Sequence, residues 1–319
     1  MKKLRAAVIG VGYLGQYHAE KYAACEGLEL VGVADIDGAR AREIAARHRC
    51  RAVTDFRELL PAVDLVSVAV PTAAHYAVAR ECLAAGVHVL VEKPITRTLE
   101  EADRLVALAR SRGSCLAVGH LERFNPAFAA LCAMLPRPLY LESERLSAFK
   151  TRGADADVVL DLMIHDIDLV LALARAEVAS VSACGFNVLT DSVDIANARI
   201  EFADGMVANL SASRVSQTPV RKLRAFGFDR YVSADLQNAQ LRVVRRADDG
   251  EVVQEEQTFQ DRDALRTVVE SFVAAVRENR APAVSGVDGR RALALALEVR
   301  RLVDERRARL SMGAGGASK

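Results

Sequence analysis

"VIGVGYLGQYHAEKY", residues 8–22, decides how this chain is read. An apolar run from Ala6 to Ile9 ends in Gly10-x-Gly12-x-x-Gly15, and a helical pattern follows at once. A continuous apolar run fits a strand buried on both faces. At the three positions, glycine permits a tight turn, lets backbone approach a diphosphate, and lets helix and strand pack closely. The helix N-terminus then faces the anion. Alone the spacing is a weak signal. Here it has a strand before it, a helix after it, and an acid about 20–25 residues on.

That acid is Asp35, at the end of the second apolar run in "LELVGVAD". A carboxylate there accepts hydrogen bonds from the adenosine ribose hydroxyls and repels a 2′-phosphate, so NAD is favoured over NADP. Arg40 and Arg42 lie a few residues on and soften that preference. Gly10, Gly12, Tyr13, Leu14, Gly15 and Asp35 are the expected contacts of the adenosine diphosphate half.

Outward from this loop, strand and helix patterns alternate through residue 121. "AVTD", "DLVSVAV", "HVLVEKP" and "CLAVGH" read as strands. "TAAHYAVARECLAAG" and "TLEEADRLVALARSRG" read as amphipathic helices closed by Gly86 and Gly113. Such alternation predicts a parallel sheet covered on both faces, with ligands beyond the carboxyl ends of its strands.

After residue 122 the rhythm changes. "NPAFAALCAML" is a helix with Asn125 as its cap and Pro126 in its first turn. "RPLYLESERLSAF" is a strand, "KTRGADAD" a loop, and residues 159–170 a largely apolar helix. Successive strands fill about 178–260, "KLRAFGFDRYVSADL" being read as one of them. Asp204-Gly205 and Asp249-Gly250 mark hairpin turns. Helices at about 262–278 and 287–307 complete the chain. The expected fold is α/β: a Rossmann dinucleotide-binding domain with a parallel sheet over 1–121, then an α+β domain with a mostly antiparallel open sheet over 122–310, for substrate binding and oligomerisation. Residues 311–319 are expected to form a flexible tail.

Composition excludes several classes. Hydrophobic residues make up 51% and charged residues 27%, which is enough for packed cores and argues against disorder. The net charge is +1, with no basic block, so no nucleic-acid partner is expected. No apolar run approaches a membrane span and no signal peptide is read, so a soluble, cytoplasmic protein is expected. The six cysteines are scattered, which fits reduced thiols and no metal site.

The helix "VLDLMIHDIDLV" (159–170) carries Asp161, His165, Asp166 and Asp168 among apolar residues. Asp161 and His165 are four apart and share a helical face, which Asp168 continues. Unpaired charges in a buried helix cost several kcal/mol, so this stripe must meet partners or line a cavity.

Taken together, the glycine loop, "VPTAAH" (70–75), Glu92-Lys93-Pro94 in "VEKPIT", and the Asp161-x-x-x-His165 pair resemble the Gfo/Idh/MocA family of oxidoreductases over essentially the whole chain. The resemblance implies that Thr72 and His75 lie along the cofactor and that Glu92 and Lys93 flank the nicotinamide ribose and the reacting carbon. It also implies that Asp161 and His165 face Lys93, with Lys93, His165 and Asp161 catalytic. His165, which titrates near neutrality, or Lys93 would then take a proton from a sugar hydroxyl as its carbon is oxidised by NAD. His18, His48 and His88 show no companions in the sequence and receive no role.

Within the family, "GH-x-ERFNPA" (119–127) is most like the branch that oxidises the 3-hydroxyl of UDP-N-acetylglucosamine. The implied substrate contacts are Lys93, Arg123, Asn125, Arg152, Asp161 and His165. Arg145, Lys150, Arg214, Arg221 and Lys222 are further cations for a diphosphate. The alternatives are a dehydrogenase of a free sugar, an inositol or a sugar acid, a non-catalytic NAD(P)-binding regulator, and an NADPH-dependent reductase of the biliverdin reductase kind, against which Asp35 argues. The resemblance also implies a homodimer or homotetramer.

Overall fold

A computed structural model describes residues 3–149, 157–260 and 263–315, and the chain divides into two compact units, 1–124 with 263–293 and 125–262 with 294–319. In the first unit β1 (Leu4–Ile9), α1 (Gly15–Ala24), β2 (Leu28–Ala34), α2 (Gly38–His48), β3 (Arg51–Val53), β4 (Leu65–Val68), α3 (Thr72–Ala84), β5 (His88–Val91), α4 (Leu99–Arg112) and β6 (Leu116–Val118) follow in turn. The six strands are parallel in the order β3-β2-β1-β4-β5-β6. This is the Rossmann order, and its reversal between β1 and β4 opens a crevice at the carboxyl ends of the strands. All four residues of β4 are buried, as a sheet covered on both faces requires.

The second unit opens with α5 (Pro126–Met134) and β7 (Tyr140–Leu146). A π-helical turn, Val159–Met163, leads into α6 (Ile164–Leu173). Then come β8 (Val178–Phe186), β9 (Ile195–Phe202), β10 (Val207–Ser213), β11 (Val220–Phe226), β12 (Arg230–Asp235), β13 (Gln240–Arg246) and β14 (Val252–Thr258). The sheet order is β14-β13-β12-β11-β7-β10-β9-β8, antiparallel except where β7 and β10 run parallel. Burial alternates along β9, so one face is covered and the other is open.

Three boundaries differ from the sequence reading. The run 222–236 is two strands, because the chain turns at Gly227, whose N–H meets the Arg230 carbonyl. The helices α7 (Ala264–Arg277) and α8 (Gly286–Gly315) complete the chain, and the segment 263–293 groups with the first unit rather than the second. The apolar stripe of α7 (Val268, Val269, Phe272, Val273) packs into the same core as Tyr22 and Val33. Residues 284–285 extend the edge of β6, with Val118 N donating to the Val284 carbonyl. An amphipathic stripe announces that a helix will pack but not on what. Lastly, α8 runs through Gly315, beyond the expected start of the tail at 311.

The ion pair Arg145–Asp166 holds α6 on the sheet. Arg145 projects from β7 to the covered face, and its Nε and one terminal nitrogen meet the two Asp166 oxygens at 2.7 and 3.1 Å. Both side chains are below 5% exposed. Removing one partner of a buried pair leaves the other charge uncompensated. Arg145→Met is therefore expected to lower unfolding free energy by about 3–5 kcal/mol, and the Arg145→Met/Asp166→Leu double variant to recover most of the loss. Chemical denaturation of the three proteins measures this, and equal loss in both variants would contradict it.

Candidate active site

The glycine loop sits at the carboxyl end of β1. Gly10 has φ +82°, and a Cβ there would lie 2.8 Å from the Ala69 backbone. A Cβ on Gly15 would stand 1.8 Å from the Gly10 carbonyl oxygen. Above Gly12, by contrast, a Cβ would meet nothing within 4 Å. Helix α1 starts with no side-chain cap and no acid in its first turn. An uncapped helix end beneath open space fits a diphosphate.

Asp35 follows β2 and does two things. Its Oδ2 accepts the Val11 N–H at 2.8 Å and its Oδ1 accepts the Asp37 N–H at 3.0 Å. The carboxylate thus ties strand end to glycine loop and still keeps lone pairs for ribose hydroxyls. Arg40 is bound to the same loop: Nε donates to the Val11 carbonyl at 2.9 Å, and its terminal nitrogens meet Gln16 and Glu43. Its guanidinium is therefore committed to bracing Val11. Tyr13 and Leu14 are exposed at the tip of the loop, and Thr72 is half-buried at the start of α3.

The end of β5 carries Glu92 and Lys93. Lys93 is half-buried, whereas Glu92 is 6% exposed. The Glu92 carboxylate accepts from His18 Nε2 at 2.8 Å, and Gly119 makes room for it, since a Cβ there would lie 2.8 Å from Glu92 Oε1. His18 Nδ1 lies 3.0 Å from Ser67 Oγ, and Ser67 Oγ donates to the Tyr22 hydroxyl at 2.7 Å. Burial works to raise the Glu92 carboxyl, but the His18 hydrogen bond and charge, then the Lys93 charge and amide, outweigh it and hold it below the usual carboxylate range. Glu92 thus faces a buried histidine instead of standing open beside a ribose. Sequence reasoning gave His18 no companions; the structure gives it two. The signal was available in the stripe Gly15–His18–Ala19–Tyr22, which is the buried face of α1 and demands partners for its polar members.

His75, expected along the cofactor, is 1% exposed. Its Nδ1 lies 2.8 Å from the Pro94 carbonyl and its Nε2 2.9 Å from the Val70 carbonyl. It braces two loops and offers neither nitrogen outward.

In the second unit Asp161 lies in the π-helical turn and His165 in the first turn of α6, both half-buried, while Val159, Met163 and Ile164 around them are fully buried. π-Turns inside helices are frequent at functional sites. Asp168 does not continue this open strip, being 1% exposed. Leu160 and Leu162 are half-buried.

Other expected substrate contacts are already engaged. Asn125 caps α5, accepting from Ala127 N, and its amide donates to the Leu236 carbonyl. Arg145 is paired with Asp166, and Arg214 lies 3.5 Å from the buried Asp194. Arg123 is half-buried in the turn Leu121–Phe124. Lys150 and Arg152 lie outside the described residues. What remains is a dinucleotide cradle with a lysine at its sheet end, and a half-open Asp–His strip on a buried helix. The first can hold NAD; the second can exchange and stabilise a proton.

Comparison with known proteins bears on this arrangement. Residues 4–120 match the model of an oxidoreductase family with an NAD-binding Rossmann fold, and residues 136–231 match the GFO/IDH/MocA C-terminal domain. A UDP-N-acetylglucosamine 3-dehydrogenase of Acidithiobacillus ferrooxidans is 46% identical over 311 residues, covering 95% of this chain and 98% of the relative. A solved structure of that enzyme superposes with a TM-score of 0.90 over 96% of this chain and 99% of the other, at 45% identity. A myo-inositol 2-dehydrogenase of Thermotoga maritima is 28% identical over 330 residues, covering 95% of this chain and 97% of the relative. Fold, cradle and end-to-end similarity agree: the chain belongs to the Gfo/Idh/MocA family of NAD-binding oxidoreductases.

Proposed function

We propose that this chain oxidises the 3-hydroxyl of UDP-N-acetylglucosamine to a ketone with NAD. The observation that carries the reading is the 46% identity, over almost the full length of both chains, to the Acidithiobacillus ferrooxidans enzyme of that name. NAD, when bound, supplies the acceptor for the hydride. The chain's own residues do the rest. The Gly10–Gly15 loop and Asp35 hold the adenosine diphosphate half, with Tyr13, Leu14 and Thr72 beside it. Lys93 and His165 act on the substrate hydroxyl, orienting it and receiving its proton at Nζ or at an imidazole nitrogen. Asp161 orients His165 or stabilises its cation. Arg123 and Arg152 are the cations we assign to the substrate.

A second reading is dehydrogenation of a free polyol, favoured by the similarity to the Thermotoga maritima inositol enzyme. The outward face of the second sheet carries a cluster of Tyr140, Phe226 and Tyr231, with ring centroids 5.4 and 4.9 Å apart. Half-exposed aromatics suit an interface, which supports a homodimer or homotetramer associating through that face. Among the described residues no helix is long and apolar enough to cross a membrane, and we place the enzyme in the cytoplasm.

NADH formation should be seen with UDP-N-acetylglucosamine and not with myo-inositol or glucose; the reverse preference would establish the polyol reading. Lys93→Ala and His165→Ala should each lower kcat by roughly 10²–10⁴-fold, as loss of a proton-transfer group does. Asp35→Asn keeps an acceptor for the Val11 N–H but removes the charge. It should raise KM for NAD about tenfold and admit NADP, and unchanged cofactor selectivity in steady-state assays would contradict the role given to Asp35.

A further inference from the structure

Lys93 stands between two residues that are each tied to a buried histidine. We propose that His18 and His75 are positioning residues that fix Lys93 at the end of β5, one acting through the Glu92 side chain and the other through the Pro94 carbonyl. The proposal rests on the reading of Lys93 as a group that acts on the substrate hydroxyl.

On one side, His18 Nε2 holds Glu92 Oε1 at 2.8 Å. His18 is itself held, with Nδ1 3.0 Å from Ser67 Oγ, and Ser67 reaches the Tyr22 hydroxyl at 2.7 Å. His18 and Tyr22 come from α1 and Ser67 from β4, so two core elements grip one carboxylate. The chain ends at Tyr22, which is 0% exposed. It has no outlet to water at that end, which makes it an anchor and not a conduit for protons. On the other side, His75 of α3 reaches the Pro94 carbonyl at 2.8 Å and the Val70 carbonyl at 2.9 Å. In either protonation state at least one ring N–H is donated. The residue before Lys93 and the residue after it are thereby held by different helices.

A purely structural role does not explain this arrangement. Apolar side chains of the same volume would fill the space between α1 and β4 without the desolvation of four polar groups. The four are instead arranged to end on the immediate neighbour of Lys93. A lysine side chain is long and flexible, so its ammonium is placed only as well as its backbone is held, and displacement by an ångström costs large factors in rate.

The test compares His18→Leu, His18→Gln, His75→Leu and Lys93→Ala in NADH formation with whichever sugar of the panel is turned over. His18→Leu and His75→Leu should each lower kcat by roughly 10–100-fold while KM for NAD stays within about threefold. His18→Leu should also move the acid limb of the kcat profile to higher pH. Glu92 remains buried there without its donor, so it takes up a proton more readily as pH falls. His18→Gln carries an amide N–H able to reach Glu92, and should restore both kcat and the acid limb. If His18→Leu does not fold, Ser67→Ala gives the same readings in smaller measure. Wild-type kcat and pH profile in His18→Leu, or in Ser67→Ala in its place, would overturn the proposal. So would equal impairment of His18→Leu and His18→Gln with equal loss of Tm, since that is the mark of packing alone. Lys93→Ala with wild-type turnover would overturn the role of Lys93 itself, whatever the histidine variants show.

Discussion

Helix α1 can lie against the end of β1 only because residue 15 has no side chain; a Cβ would stand 1.8 Å from the Gly10 carbonyl oxygen. Much of the first unit follows from that contact. With α1 this close, its N-terminus opens beneath the space above Gly12, and its buried face delivers His18 and Tyr22 into the sheet. His18 then meets Glu92 of the strand end two places away in the sheet, and Ser67 of the strand between. One close approach of backbone to backbone thus shapes the anion cradle and, through the histidine, the neighbourhood of Lys93. Asp35 and Arg40 complete it by holding the two ends of the Val11 residue, its N–H and its carbonyl.

The second unit solves a different problem. Its sheet has one covered face, and the helix covering it must carry an imidazole and a carboxylate to a half-open position without exposing its apolar majority. The π-helical turn and the Arg145–Asp166 pair achieve this together. The turn widens the helix at Asp161, and the ion pair secures α6 one residue beyond His165. Asp194 shows the same economy nearby. Burial raises its carboxyl, but the N–H groups of Val188, Leu189 and Thr190 and the Thr190 hydroxyl outweigh that and hold it down to about 2. That carboxylate stays ionised over the working range and loses its stabilising effect only as pH falls toward that value.

The glycine loop, Asp35, the strand–helix alternation and the Asn125 cap were all legible, because each is a local pattern with a local physical cause. The partners of Glu92 and His75 were not legible, because only the packing shows that their polar atoms face inward, to His18 and to two carbonyls. Arg145 and Arg214 resembled free cations for a diphosphate until β7 and β10 set them beside Asp166 and Asp194. Asp168 followed the helical stripe in the sequence but is buried, because the helix does not present one continuous polar face.

Sequence alone determined the alternation of strand and helix in the first unit, the parallel character of its sheet and a glycine loop with an acid suited to a dinucleotide, while the candidate pair Lys93 and His165 was implied by the family resemblance. The first three depend on backbone sterics and on periodicities of two and 3.6, which neighbours along the chain express. Tertiary structure decided which polar groups are spent on one another. It also decided that residues 263–293 join the first unit. In the network of His18 the contacts join residues 45 to 74 positions apart, and no local pattern records them. A buried polar side chain must find a partner, but the sequence states only the need, and the fold supplies the partner.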